Sequence, residues 1–189
     1  MIKNFAKGRT SVFIDAANIF YLERTLGWRI DYERLANYMR GEVSVVGLHY
    51  YTGVINTSEK QRAFLQKLES FGYTVTAKEV KFIKLPGGSF TSKGSLDVEI
   101  SLDTYMQRDK YDTYILFSGD SDLAYLLDVL KREGKRILTV STRGHISKEL
   151  IVRSKYIALS KLREEIERDP KNSKDRTSRP SRSDKKHTI

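Results

Sequence analysis

Residues 113–122 read Thr113-Tyr-Ile-Leu-Phe-Ser-Gly-Asp-Ser-Asp122, an apolar run that stops abruptly at a Ser-Gly turn and two carboxylates. Five apolar or β-branched positions in a row, with no polar alternation, suit a strand buried on both faces. A helix follows over Ser121–Glu133, closed by Gly134, and the next strand is Arg136–Val140. A strand, a crossover helix and another strand form the unit of a parallel sheet.

The same alternation extends in both directions. Upstream, Ser11-Val-Phe-Ile-Asp15 is a second apolar run ending in a carboxylate, followed by a helix over Asn18–Leu26. A helix over Asp31–Arg40, N-capped by Asp31, precedes a strand over Val43–Tyr51. Phe64, Leu65, Leu68 and Phe71 share one face of a helix over Thr57–Phe71, before Gly72 and a strand over Tyr73–Val80. Lys81–Gly94, KFIKLPGGSFTSKG, reads as a basic loop, and Ser95–Gln107 as a helix. Downstream come a short helix over Ser147–Arg153, a strand over Tyr156–Leu159 and a helix over Ser160–Arg168. The expectation is a three-layer α/β/α, Rossmann-like domain over residues 1–168 with a mostly parallel central sheet. Residues 169–189 form a basic tail too poor in apolar side chains to offset the entropy of ordering, so disorder is expected there.

Composition narrows the function. The chain has 189 residues, of which 39% are apolar, and no apolar run long enough to span a bilayer. The N-terminal stretch lacks a signal-peptide pattern, so a cytoplasmic location is expected. Cysteine is absent, which excludes disulfide scaffolds, thiol nucleophiles and Cys-based zinc sites. The formal charge is +10. Seven Lys and Arg against two Asp give the last twenty residues +5, and the rest of the chain holds an equal surplus. Either a polyanionic partner or plain solubility accounts for such a surplus.

Carboxylates mark the candidate site. Ligands of open parallel sheets bind at the carboxyl ends of the strands. Asp15 ends one central strand, Asp120 and Asp122 follow another, and Asp97 lies in the first turn of the helix over Ser95–Gln107. Gathered carboxylates raise one another's pKa. A hard divalent cation, Mg²⁺ or Mn²⁺, relieves the repulsion and supports displacement at phosphorus. Each acid also has a structural reading: Asp120 or Asp122 as a helix cap, and Asp97 as an acid favoured by the helix dipole. Asn18 either caps the first helix or supports the site by an amide hydrogen bond. Glu99 points elsewhere on its helix, about 200° from Asp97, and Asp103, about 120° from Asp97, is expected at the rim or on the surface. Trp28 and the pair Tyr50-Tyr51 are read as packing residues before base-stacking ones. Lys84 and Lys93 lie in the basic loop, where they either hold the scissile strand next to the metal or are solvated lysines of a mobile surface loop.

Three segments, Phe13-Ile-Asp-Ala-Ala-Asn18, Lys93-Gly-Ser-Leu-Asp97 with its continuation to Asp103, and Ser118-Gly-Asp-Ser-Asp122, together resemble the NYN domain family of PIN-like nucleases, which includes LabA-like proteins. The resemblance runs from about Thr10 to Leu162 and implies a PIN-like fold and a Mg²⁺- or Mn²⁺-dependent ribonuclease. By motif match, Asp15, Asp97, Asp120 and Asp122 become metal-site acids supported by Asn18. Ser118 is assigned with Lys84 and Lys93 to substrate binding. Departures are Ala16-Ala17 where Gly-Glu or similar is common, two residues (Ser95 and Leu96) between Gly94 and Asp97 where many members have one, Leu123 where Phe is usual, and Arg153-Ser-Lys155 where an Asp often precedes the final strand. RNA is the partner implied, no membrane is, and a homodimer is compatible with the sequence. A non-catalytic RNA-binding or regulatory module is the alternative reading. A haloacid-dehalogenase-type phosphatase fits poorly, since its general acid would fall at Ala17.

Overall fold

The computed structural model describes residues 1–55, 58–84 and 90–169. Its main strands are β1 (Arg9–Asp15), β2 (Ser44–Val54), β3 (Thr74–Glu79), β6 (Thr113–Phe117), β7 (Arg136–Ser141) and β8 (Lys155–Ala158). They form one sheet in the order β3-β2-β1-β6-β7-β8, every neighbouring pair parallel. The helices are α1 (Ala16–Leu26), α2 (Tyr32–Glu42), α3 (Glu59–Ser70), α4 (Asp97–Met106), α5 (Ala124–Arg132) and the short α6 (Lys148–Ile151) and α7 (Arg163–Ile166).

Alternation along the strands sends side chains to two cores. Val12 and Ile14 of β1 pack with Ile19 and Leu22 of α1, Leu35 and Met39 of α2, and Leu68 of α3. Phe13, on the opposite face, packs with Ile100 of α4 and Leu127 and Leu130 of α5. Burial on both faces is why β1 and β6 read as continuous apolar runs. Asp31 caps α2 as expected, accepting from the amides of Glu33 and Arg34 at 3.0 and 3.1 Å. Trp28, Tyr50 and Tyr51 are all buried, so packing is their role.

Three local expectations are corrected. Lys81–Gly94 is not a simple loop: β4 (Lys81–Lys84) and β5 (Phe90–Lys93) pair antiparallel as a separate hairpin. The side chains of Lys84 and Lys93, and the tail from residue 170, lie outside the described residues. The helix expected from Ser121 begins with a 3₁₀ turn over Ser121–Leu123 before α5. The last expected helix splits into a 3₁₀ turn over Leu159–Leu162 and α7. Of the four apolar positions aligned from Phe64 to Phe71, only Leu68 is fully buried and Phe64 stays exposed.

The sheet order carries the functional consequence. The chain leaves β1 for α1 on one face, and leaves β6 for α5 on the other. Adjacent parallel strands whose crossovers diverge open a crevice beyond their carboxyl ends. Asp15 and the Ser118–Asp122 turn lie at that point.

Candidate active site

Asp15 is both the last residue of β1 and the N-cap of α1, so no loop separates strand from helix. Its Oδ1 accepts the Asn18 amide at 3.2 Å. Its Oδ2 accepts the Ser118 hydroxyl at 3.0 Å. Burial pushes the Asp15 carboxyl above its usual range, against these two hydrogen bonds, and the charges of Asp97 and Asp120 push it the same way. A carboxylate with four lone-pair sites and two protein donors still has acceptor capacity to spare.

Asn18 is not the cap of the first helix: α1 begins at Ala16 with Asp15 as its N-cap, and the Asn18 amide is the donor to that cap. Its side chain takes the other expected role, its Oδ1 accepting the Gly119 amide at 2.9 Å. Ser118 also acts twice, because its Oγ accepts the Asp120 amide at 3.2 Å while its hydroxyl serves Asp15. Asp120 caps the 3₁₀ turn by accepting the Asp122 amide at 3.0 Å. The ends of β1 and β6 are thereby stitched together by three side chains, Asp15, Asn18 and Ser118.

Asp97 opens α4, where the positive end of the helix dipole favours an acid. The Ser95 hydroxyl donates to its carboxylate, and the Asp97 amide donates back to Ser95 Oγ at 3.3 Å. Lys78 of β3 braces this corner, donating to the Ser95 carbonyl at 3.1 Å and pairing with Glu99 at 2.7 Å. Glu99 is therefore turned away from the cleft, as its helical angle predicts. Asp103 is half-buried and accepts the Tyr51 hydroxyl at 3.1 Å. Asp122 is exposed, and its charge is not among those acting on Asp15.

Among the described residues, no group of three or more His, Cys, Asp or Glu side chains is gathered closely enough to hold a metal ion unaided. The cluster is instead one buried acid, Asp15, under the field of two others. All the donors are oxygens. Such a set fits Mg²⁺, which keeps several waters and takes one or two carboxylates plus substrate phosphate in place of an all-protein cage.

Gly119 explains the Ser-Gly-Asp spelling. A Cβ there would lie 1.8 Å from the His145 carbonyl oxygen and 2.8 Å from Ser141 Oγ. The Gly119 carbonyl accepts the Ser147 amide at 3.0 Å, docking the loop after β7 against the turn. Reasoning from the sequence missed this close approach, and it missed Lys78 as the brace of α4. The first needs knowledge of the β7 loop, and the second needs the strand order.

An acidic cleft at the switch point of a parallel α/β/α sheet is the class that fold and site define. The NYN domain profile matches residues 9–160, and the chain belongs to the NYN domain family. It is 36% identical over 169 residues to the low amplitude and bright protein LabA of Synechococcus elongatus, covering 87% of this chain and 90% of that one. Its fold is similar to a crystal structure of VPA0982, a protein of unknown function from Vibrio parahaemolyticus, with TM-score 0.68 and 26% identity. That match covers 82% of this chain and 94% of the other. NYN domains are nuclease-like as a family, which agrees with the acidic cleft. Among the described residues, no helix is long and apolar enough to cross a membrane.

Proposed function

We propose that the protein is a Mg²⁺- or Mn²⁺-dependent ribonuclease that hydrolyses phosphodiester bonds at the cleft beyond β1 and β6. The observation that carries this reading is Asp15: a buried carboxylate, held in one orientation by Ser118 and Asn18, and pushed upward in pKa by burial and by Asp97 and Asp120. A carboxylate kept buried beside two others costs stability, and functional sites are where such costs concentrate.

Asp15, Asp97, Asp120 and Asp122 are the residues that would hold the cation. When bound, the cation supplies charge neutralisation on the phosphate and activation of a water. The chain itself supplies orientation. Ser118 and Asn18 fix the carboxylate of Asp15, while the Gly119 carbonyl and Asn18 fix the turn that carries Asp120. Lys78 fixes the start of α4, and through it Asp97. Lys84 and Lys93, on the two strands of the hairpin before α4, are assigned to the RNA strand, and the basic tail to sequence-independent phosphate contacts.

The alternative is a regulatory RNA-binding module in which the acids serve only as caps. It is favoured by the capping bonds of Asp15 and Asp120 and by the absence of a gathered acid triad among the described residues. Incubation of the protein with mixed labelled RNAs in Mn²⁺, and separately in EDTA, decides between them. Cleavage in Mn²⁺ that stops in EDTA supports the nuclease; binding without cleavage in both supports the module.

A further inference from the structure

Helix α4 is apolar on both of its faces. Ile100 and the N-cap Leu96 are buried in the core, with Thr104 buried on the same side. The opposite side carries Val98, Leu102, Tyr105 and Met106, which are 67%, 57%, 40% and 75% exposed. At roughly 100° per residue these four fall within about 100° of arc, and no charged residue of α4 lies inside it. The charges sit on the flanks. Glu99 pairs with Lys78 and Asp103 accepts from Tyr51 on one side, and Asp97 lies on the other.

A surface helix ordinarily turns polar side chains outward, and a helix that is apolar all round is covered on both sides. Single exposed apolar residues need no explanation, but a contiguous stripe marks an interaction surface. The basic tail of this chain is a poor cover for it. Its twenty residues from Pro170 hold a single large apolar side chain, Ile189.

A second copy of the chain is a good one. Val98, Leu102 and Met106 stand at i, i+4 and i+8, so a two-fold axis at Leu102 sets Leu102 against itself and Val98 against Met106. Such a contact is self-complementary and closes at two copies. The charges agree with the antiparallel direction. Asp97 opens α4 and Arg108 follows its end, and eleven residues of helical phase leave them on the same flank, about 20° apart. An antiparallel copy therefore brings its Arg108 towards Asp97, and does so twice, whereas a parallel copy sets Asp97 against Asp97. The guanidinium of Arg108 already lies 4.3 Å from the Tyr105 ring centre, at the edge of the stripe. Its acidic partner Glu133 is 3.7 Å away, and a guanidinium with five N–H donors can serve a second carboxylate.

We propose that α4 is the contact between two copies of this chain, packed antiparallel about a two-fold axis at Leu102. The proposal stands apart from the ribonuclease reading, since apolar spacing and charge order carry it and no chemistry does. Its consequence for the cleft is that Asp97 belongs to both surfaces, so each acidic site lies beside the other copy.

Sedimentation velocity of the full chain from about 1 to 100 µM tests the contact, with wild type, Leu102→Glu and Val152→Glu. All three positions of interest are exposed, and matched melting temperatures confirm folding. Wild type should dimerise with a Kd of about micromolar, the strength suited to a small interface. Leu102→Glu sets two like charges face to face and should weaken the dimer by about thirtyfold or more. Val152→Glu, outside the stripe, should match wild type.

Because the chain has no cysteine, introduced thiols report the direction of packing. On mild oxidation with copper phenanthroline, Leu102→Cys should cross-link to itself. Val98→Cys and Met106→Cys should cross-link when mixed and not singly, since a disulfide needs Cα atoms within about 7 Å. A wild type that stays monomeric at about 100 µM, or a Leu102→Glu variant that dimerises as well as wild type, overturns the proposal. So does self-cross-linking of Val98→Cys and of Met106→Cys with none between them, because that pattern belongs to a parallel pair.

Discussion

The hydroxyl of Ser118 donates to Oδ2 of Asp15 at 3.0 Å, joining the carboxyl ends of two neighbouring strands that lie 103 residues apart in sequence. Ser118 Oγ in turn accepts the amide of Asp120 at 3.2 Å. One buried side chain thus sets the orientation of one acid and the backbone of another. By donating to the ionised form of Asp15 it also opposes the desolvation that burial imposes.

Ser118→Ala should therefore damage chemistry more than binding. Loss of a hydrogen bond to a charged group costs about 1.5–3 kcal/mol, so kcat for RNA cleavage should fall by roughly tenfold or more. Asp15 should become harder to ionise, moving the acidic limb of the pH–rate profile to higher pH. A profile superimposable on wild type would show that the bond has no part in activity.

Asp15→Asn should abolish cleavage and yet stabilise the fold at neutral pH. The folded carboxyl is raised above the ordinary 3.8, chiefly by burial. Folding then favours the protonated form, so stability falls as pH rises from the unfolded value through the folded one. Asparagine keeps the shape and removes that charge. The melting temperature should rise by a few degrees at pH 8, where about 1 kcal/mol shifts it by about 2–4 °C, and the gain should vanish near pH ~3.5. Melting curves at both pH values check it.

How much of this was legible beforehand depends on where the information sits. β1 and β6 are readable because burial on both faces leaves unbroken apolar runs, and the acids at their ends follow directly. The Asp31 cap is equally local. The β4–β5 hairpin escapes because Pro86, Gly87 and Gly88, with Ser and Thr nearby, spell a turn, and nothing in the flanking lysines announces pairing. The 3₁₀ turn at Ser121 escapes because Asp120 and Ser121 compete for the same capping task. The Tyr51 partner of Asp103 escapes because helical angles alone do not reveal what lies opposite a helix face.

Acid should destabilise the protein through His49. Its ring is buried, stacked on Phe13 with centres 4.4 Å apart, and its Nε2 has no hydrogen-bond partner. Burial lowers its pKa from 6.5 to about 4. Between those values the unfolded chain takes a proton that the folded one refuses, so stability is lost as pH falls through this window. The full effect is about 3 kcal/mol at most. Urea unfolding at pH ~7 and pH ~4.5 should show a smaller difference in His49→Leu than in wild type.

Gly119→Ala should cost about 1–3 kcal/mol, because the added carbon meets backbone of the His145 segment, which cannot swing aside like a side chain. The turn carrying Asp120 must shift, so activity should fall with stability. Melting temperature and cleavage rate measured on the same sample test this. An unchanged rate would mean that the position of Asp120 does not matter.

The central claim is that Asp15 and Asp120 serve one divalent cation across the β1–β6 crevice. Calorimetric titration of Mn²⁺ into wild type, Asp15→Asn and Asp120→Asn, each shown by its melting curve to be folded, tests it most directly. The account predicts saturable binding in wild type and loss of most of the affinity in each variant. Equal binding by all three proteins would contradict it.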